Sequence, residues 1–150
     1  MKHTIMAIIG ALGAAISTAL GGWTSGLTTL IVFMAIDYAS GLIVAGVFHK
    51  SGKSKTGRLE SGASWKGLIR KGMILLIVLI ACRLDMLLGT TYIRDAVIIA
   101  FCANELLSIT ENAGLMGVPI PKAITGAIEV LKKRESVETE TDHPPDGEEE

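Results

Sequence analysis

The chain has 150 residues, of which 49% are hydrophobic and only 19% are charged, and its formal net charge is −1. The charge is unevenly distributed: residues 1–134 hold all 14 basic residues and carry +7, whereas residues 135–150 hold no base and carry −8. Without this tail, the body of the chain is too apolar for a soluble domain. Only 5% of the residues are aromatic and they are not interleaved with the bases, which argues against a nucleic-acid-binding protein. The composition therefore indicates a membrane protein.

The first two predicted helices come from residues 4–36, a stretch of 33 residues without a charged side chain. A bilayer core takes about 20 helical residues, which makes this stretch too long for one crossing. Gly21-Gly22-Trp23-Thr24-Ser25-Gly26 predicts a turn within it, because glycine disfavours helix and Trp suits the membrane interface. We therefore expect helices at about 4–20 and 27–48. A cleaved signal peptide is the alternative for the first.

Asp37 lies near the centre of the second predicted helix. An ionised carboxylate at the bilayer centre is disfavoured by about 2.5–3.5 kcal/mol on insertion scales. Protonation, a partner such as Ser40 or Arg83, or water in an oligomeric lumen would offset that cost. Asp37 is therefore expected either to pair helices for assembly or to line a pore, with Ser40 beside it.

A basic loop is predicted between the second and third helices. It is short, and the positive-inside rule places it in the cytoplasm, where its bases are expected to hold anionic lipid headgroups. The third helix then leaves the cytoplasm at about 68–88, with Arg83 and Asp85 near the outer face. The bases assigned to headgroup binding are Lys50, Lys53, Lys55, Arg58, Lys66, Arg70 and Lys71.

The fourth predicted helix, at about 93–112, carries a stripe of polar side chains. At 100° per residue the stripe covers an arc of about 120°. Such a stripe can line a pore, contact other helices or lie in the headgroup plane, so four crossings are expected and three are the alternative. Its members, assigned to pore lining or oligomer contact, are Arg94, Asn104, Glu105, Ser108, Glu111 and Asn112.

The C-terminal part is predicted to leave the membrane. Gly117-Val118-Pro119-Ile120-Pro121 stops the fourth helix, since each proline restricts its predecessor to extended conformations. A short amphipathic helix at 122–134 ends in Lys132, Lys133 and Arg134, which are also expected to hold lipid headgroups and favour a cytoplasmic C-terminus. The acidic tail at 135–150 is predicted to be disordered.

No catalysis, cofactor or metal is expected. Cys82 and Cys102 lie in apolar runs without a second pair, which is typical of buried hydrophobes. The three histidines are far apart, and no Gly-rich phosphate loop is present. The sequence thus predicts an all-α integral membrane protein. Polar side chains in lipid need partners that a single chain of three or four helices hardly supplies, so self-association is expected.

Three segments resemble the phage-lysis and toxin-secretion holins of Gram-positive bacteria and their prophages. They are Asp37-Tyr38-Ala39-Ser40-Gly41, the basic loop ending Gly67-Leu68-Ile69-Arg70-Lys71, and 104–112 (NELLSITEN) followed by Gly117-Val118-Pro119-Ile120-Pro121. The resemblance covers roughly residues 5–133. It implies a multi-pass protein of the cytoplasmic membrane that oligomerises and opens holes for an endolysin or toxin. The long acidic tail differs from the basic C-terminus usual in holins.

Two other functions are compatible with the residues. A small transporter would use Asp37 or Glu105 to bind a proton or cation, although the halves of the chain lack the similarity of an inverted repeat. A non-conducting membrane scaffold would recruit a soluble partner through the tail or the basic loop.

Overall fold

The computed structural model describes residues 2–52, 58 and 60–140, with the backbone alone for 135–140. Within these residues every regular element is helical, as predicted, and no strand occurs. The elements are α1 (Lys2–Ala19), α2 (Ser25–Ile43), which continues into a π-helical turn (Val44–Phe48), α3 (Ser61–Leu88), α4 (Ile93–Leu115) and α5 (Lys122–Glu140). Lys53, Lys55 and residues 141–150 of the predicted tail lie outside the described part.

Two glycines separate α1 from α2. Gly21 and Gly22 have φ angles of 77° and 92°, a left-handed region that side chains with a Cβ rarely adopt. Thr24 then caps α2: its Oγ1 accepts a hydrogen bond from the backbone N–H of Leu27 at 3.2 Å. The turn thus forms at the glycine-rich segment.

The third helix begins at Ser61, whereas the sequence predicts a start near Leu68. The prediction used the density of charge to mark a loop, but Lys and Arg are good helix formers. Gly62 and Gly67 weaken the helix by about 1 kcal/mol each and do not end it. For the same reason α5 continues to Glu140 rather than ending at Arg134, because Glu is also a helix former and the next proline is Pro144. Consequently, bases assigned to the loop lie on a helix.

α4 is the central helix of the bundle. It packs most extensively on α2, then on α3 and α5, whereas α2 and α3 contact each other much less. None of the residues Lys2–Ala19 in α1 is buried. The core of the described residues consists of Leu20, Leu27, Leu30, Met34, Ile74, Val78, Ile98 and Cys102.

Among the residues that the structure describes, two helices are long and apolar enough to cross a membrane: Lys2–Ala19 and the continuous helix Ser25–Phe48. α3 and α4 are also long, with 28 and 23 residues, but each carries several charged side chains. The number of crossings and the orientation of the termini stay predictions.

Candidate functional site: a buried ion cluster between three helices

Asp37 belongs to the buried face of α2. Leu27, Leu30 and Met34 recur on this face at intervals of three and four residues, and Asp37 is the next position in the series. The side chain is therefore turned toward α3 and α4 by the same periodicity that buries the apolar residues. Only 7% of Asp37 is exposed. Its carboxylate needs polar partners inside the bundle.

Lys71 of α3 supplies the opposite charge. Its Nζ donates to Asp37 Oδ2 at 2.9 Å and to Glu105 Oε2 of α4 at 2.5 Å. Arg83, the basic partner suggested from the sequence, instead donates from Nη1 to the sulfur of Met86 at the surface. Lys71 precedes Ile74 and Val78 on the buried face of α3, and that spacing is the signal that sequence reasoning missed.

Asn112 completes the cluster. Its Nδ2 donates to Asp37 Oδ1 at 3.1 Å and to Ser40 Oγ at 2.9 Å, and it lies 3.4 Å from the backbone oxygen of Asp37. Glu105 and Asn112 are two helical turns apart, so they face α2 together. We call Asp37, Ser40, Lys71, Glu105 and Asn112 the ion cluster.

The ion cluster contains two carboxylates and one ammonium group in a largely apolar bundle. Taking charges out of water is costly, and their attraction offsets that cost only when the geometry and the additional hydrogen bonds are good. Lys71 contacts both acids, and Asn112 donates a further hydrogen bond to Asp37. The three helices are therefore held in register by groups that satisfy one another. The expectation that a single chain hardly supplies such partners is wrong for these residues.

A cavity of about 450 Å³ lies above the ion cluster, between α2, α3 and α4. Asp37, Lys71 and Glu105 line it on one side, and the beginning of α3 lines it on the other. The few contacts between α2 and α3 leave room for this cavity. Its lining also includes Asn104, Ser108 and Glu111 of the predicted polar stripe.

Arg94, the first member of the predicted stripe, lies away from the ion cluster. Its Nη1 donates to the backbone oxygens of Leu20 at 3.3 Å and Gly21 at 2.9 Å, and its Nε pairs with Asp95 at 3.2 Å. In the protomer Arg94 satisfies carbonyl groups at the C-terminal end of α1. The structure thus groups the stripe into the ion cluster, the cavity wall and this separate contact.

Asp85 has a capping role that the sequence analysis did not predict, because it placed this residue only near the outer face. It is buried, and its carboxylate accepts hydrogen bonds from Thr90 Oγ1 at 2.6 Å, from Ile93 N at 3.1 Å and from Arg94 N at 2.9 Å. These last two donors are free N–H groups of the first turn of α4, so Asp85 acts as its cap from the end of α3. Asp85 follows Val78 and Cys82 on the buried face of α3, and this spacing is the sequence signal that could have predicted its burial.

The basic residues assigned to headgroups fall into two groups. Most of those described are exposed, whereas Lys71 has only 12% of its side chain exposed, because it pairs with the two carboxylates. Within the described part of the chain, no group of three or more His, Cys, Asp or Glu side chains is placed to hold a metal ion. The exposed bases are Lys50, Arg58, Lys66, Arg70, Lys132, Lys133 and Arg134.

A model of the bacteriophage holin family matches residues 14–133. The chain belongs to this family. The resemblance found in the sequence is thereby confirmed, and the matched region of this holin contains every member of the ion cluster. No solved structure matches it.

Relatives of this holin cover most of its length. An uncharacterised protein of Halalkalibacterium halodurans is 39% identical over 83% of this chain and 91% of its own. An uncharacterised 14.9 kDa protein of Clostridium perfringens is 37% identical over 82% of this chain and 89% of its own. The probable holin of Bacillus phage phi105 is 32% identical over 77% of this chain and 81% of its own.

Proposed function

We propose that this holin oligomerises in the cytoplasmic membrane and forms pores through which an endolysin or toxin leaves the cell. It catalyses no reaction. Membership of the bacteriophage holin family and the similarity to a probable holin of a Bacillus phage support this function. The proposed topology has four crossings, with the basic loop and both termini in the cytoplasm.

The observation that carries the proposal is the ion cluster inside a largely apolar bundle. In the protomer its charges satisfy one another, which makes a dispersed chain tolerable in lipid. If α4 turns away from α2 and α3, Glu105 loses Lys71, and Asn112 loses Asp37 and Ser40. Hydrocarbon offers these groups no other partner. Water enclosed by several copies of the chain can form hydrogen bonds with these side chains. The polar side chains that stabilise the closed protomer are therefore the ones that we assign to the lumen.

The wall of the cavity supplies the rest of the proposed lumen. Asn104, which precedes Glu105, and Ser108 and Glu111, which follow it, lie along the same half of α4 and already border the cavity. α4 has 23 residues, a length of about 34 Å at 1.5 Å per residue, which is enough for a bilayer core. The exposed bases at the cytoplasmic face would hold anionic headgroups around the assembly.

Induced expression in a bacterial host tests the proposal. A pore predicts an abrupt loss of membrane potential together with release of a folded cytoplasmic enzyme, because only a wide lesion passes a folded protein. Flux of one solute without release of the enzyme would support the transporter instead. Neither change, with the protein in the membrane, would support the scaffold. A complementary measurement is the oligomeric mass in mild detergent, where a pore requires assemblies larger than a dimer.

A further inference from the structure

The cavity above the ion cluster has opposite charges on facing walls that do not meet. Lys66 and Arg70 of α3 lie one helical turn apart and both line it, and Glu111 lines it from α4. None of these three side chains forms an ion pair or hydrogen bond with another described residue. Arg58 and Glu60, which also line the cavity, have interactions of their own. The free bases and the free acid thus border a shared space.

This arrangement is complementary to a small zwitterion. A phosphate group would accept charge-assisted hydrogen bonds from Lys66 and Arg70, and the guanidinium of arginine suits phosphate oxygens particularly well. A primary ammonium group would donate to Glu111. A ligand with only negative charge would instead meet the uncompensated Glu111. The volume of about 450 Å³ also falls within the usual range for small-ligand sites, about 300–1,000 Å³.

The outer surface of α3 at the level of the cavity indicates where such a ligand comes from. Trp65, Leu68 and Ile69 do not line the cavity; at 100° per residue they lie on the side of α3 turned away from it, with exposed fractions of 63%, 47% and 51%. Exposed Trp is typical of the membrane interface, and the two aliphatic side chains offer apolar surface for acyl chains. Basic pockets between membrane helices on the cytoplasmic side are known to take lipid headgroups.

We propose that this cavity binds the phosphoethanolamine headgroup of a lipid in the cytoplasmic leaflet, with the phosphate on Lys66 and Arg70 and the ammonium on Glu111. The inference rests on the proposed function for the orientation of the basic loop. It goes further in naming a specific headgroup and a specific site, rather than general attraction between bases and anionic lipid. The bound headgroup joins α3 to α4 above Lys71.

Lipid retention by the full-length protein tests this site. The protein is reconstituted into vesicles of phosphatidylethanolamine, phosphatidylglycerol and phosphatidylcholine in equal parts, extracted in mild detergent, and its retained lipids are measured by mass spectrometry. We expect phosphatidylethanolamine to exceed each of the other two by about five- to tenfold, as one charge-assisted hydrogen bond implies. Phosphatidylcholine is the sharp comparison, because its quaternary ammonium cannot donate a hydrogen bond to Glu111.

Variants locate the site. Glu111→Gln should abolish the preference for phosphatidylethanolamine over phosphatidylglycerol, and the double variant Lys66→Gln/Arg70→Gln should lose retention of all three lipids. The exposed residues Glu129 and Lys122 do not line the cavity, so Glu129→Gln and Lys122→Gln serve as charge-matched controls and should retain lipid like the parent. Circular dichroism of each variant checks that the helices are intact.

Three results would overturn the inference: equal retention of phosphatidylglycerol and phosphatidylethanolamine by the parent, equal retention of phosphatidylcholine and phosphatidylethanolamine by the parent, or an unchanged preference in folded Glu111→Gln. The first needs no variant, so it remains decisive if a variant fails to fold. Pore formation is measured separately by release of a cytoplasmic enzyme. Release without selective retention would reject only the lipid site, and selective retention without release would reject only the pore.

Discussion

Lys71 Nζ and Asp37 Oδ2 lie 2.9 Å apart and join α3 to α2 where these helices otherwise make few contacts. The same ammonium group contacts Glu105 of α4. One basic side chain therefore compensates acids from both neighbouring helices. The integrity of the closed protomer should depend on Lys71 more than on any other base in the described part of α3.

Replacing Lys71 with methionine should weaken the closed protomer. The substitution keeps most of the side-chain length but leaves two buried carboxylates without their counterion, a change that typically costs about 3–5 kcal/mol. We expect a lower melting temperature in detergent and earlier lysis. Lys122→Met, an exposed base outside the ion cluster, is the control and should match the parent. Unchanged melting and timing in Lys71→Met would contradict the assigned role of the pair.

Replacing Glu105 with leucine should have the opposite effect on timing. The variant removes one carboxylate and leaves Lys71 paired with Asp37, so the protomer should insert and fold. The assembled pore loses a polar lumen residue, and lysis should be delayed or abolished. Membrane fractionation and the time course of lysis measure the two effects separately. Normal timing in an inserted Glu105→Leu protein would reject the assignment of Glu105 to the lumen.

Gly21→Ala should destabilise the contact between α1 and the bundle. A Cβ on Gly21 would lie 2.6 Å from Cys82 Sγ and 2.8 Å from Arg94 Nη1, and φ is already 77°. Gly22→Ala is a matched control, because Gly22 has φ of 92° but open space around the added Cβ. Both variants carry backbone strain of about 1 kcal/mol, and only Gly21→Ala adds a clash. In detergent, the melting temperature of Gly21→Ala should therefore be lower than that of Gly22→Ala. Equal melting temperatures would argue against the Arg94 contact.

Asp85→Ala should loosen the junction between α3 and α4. It removes the acceptor for Thr90 and for two N–H groups of the first turn of α4, and loss of a helix cap costs about 0.5–2 kcal/mol. Asp95→Ala, at an exposed position in the same turn, controls for loss of an acid near the helix N-terminus. We expect faster hydrogen exchange at the start of α4 in the Asp85 variant alone. Equal protection in both variants would show that Asp85 is not the cap.

Cysteine labelling from outside the cell tests the topology. Single cysteines at Gly26 and Thr91 should react with a membrane-impermeant maleimide, whereas cysteines at Gly62 and at the C-terminus should not. The native Cys82 and Cys102 are buried, so the parent protein measures the background. Reaction at the C-terminus would leave three crossings, and protection at Gly26 would reverse the orientation.

The sequence by itself determined the helical class, the glycine break before α2 and the position of Asp37 as a charge in an apolar helix. These follow from local composition and periodicity, which each segment carries independently of the others. The sequence also contains the motifs that resemble those of the holins. Helix ends were less predictable, because the small and polar residues at 61–67 are compatible with both a loop and a helix.

Only the tertiary structure decided which faces meet. Lys71 is 34 residues from both Asp37 and Glu105, and Asn112 is 75 residues from Asp37. Periodicity places each of these side chains on a face of its own helix, but the pairing depends on how α2, α3 and α4 rotate and pack against one another. The contacts of Arg94 and Asp85 also depend on tertiary packing, because their hydrogen-bond partners at the helix ends lie on neighbouring segments of the chain.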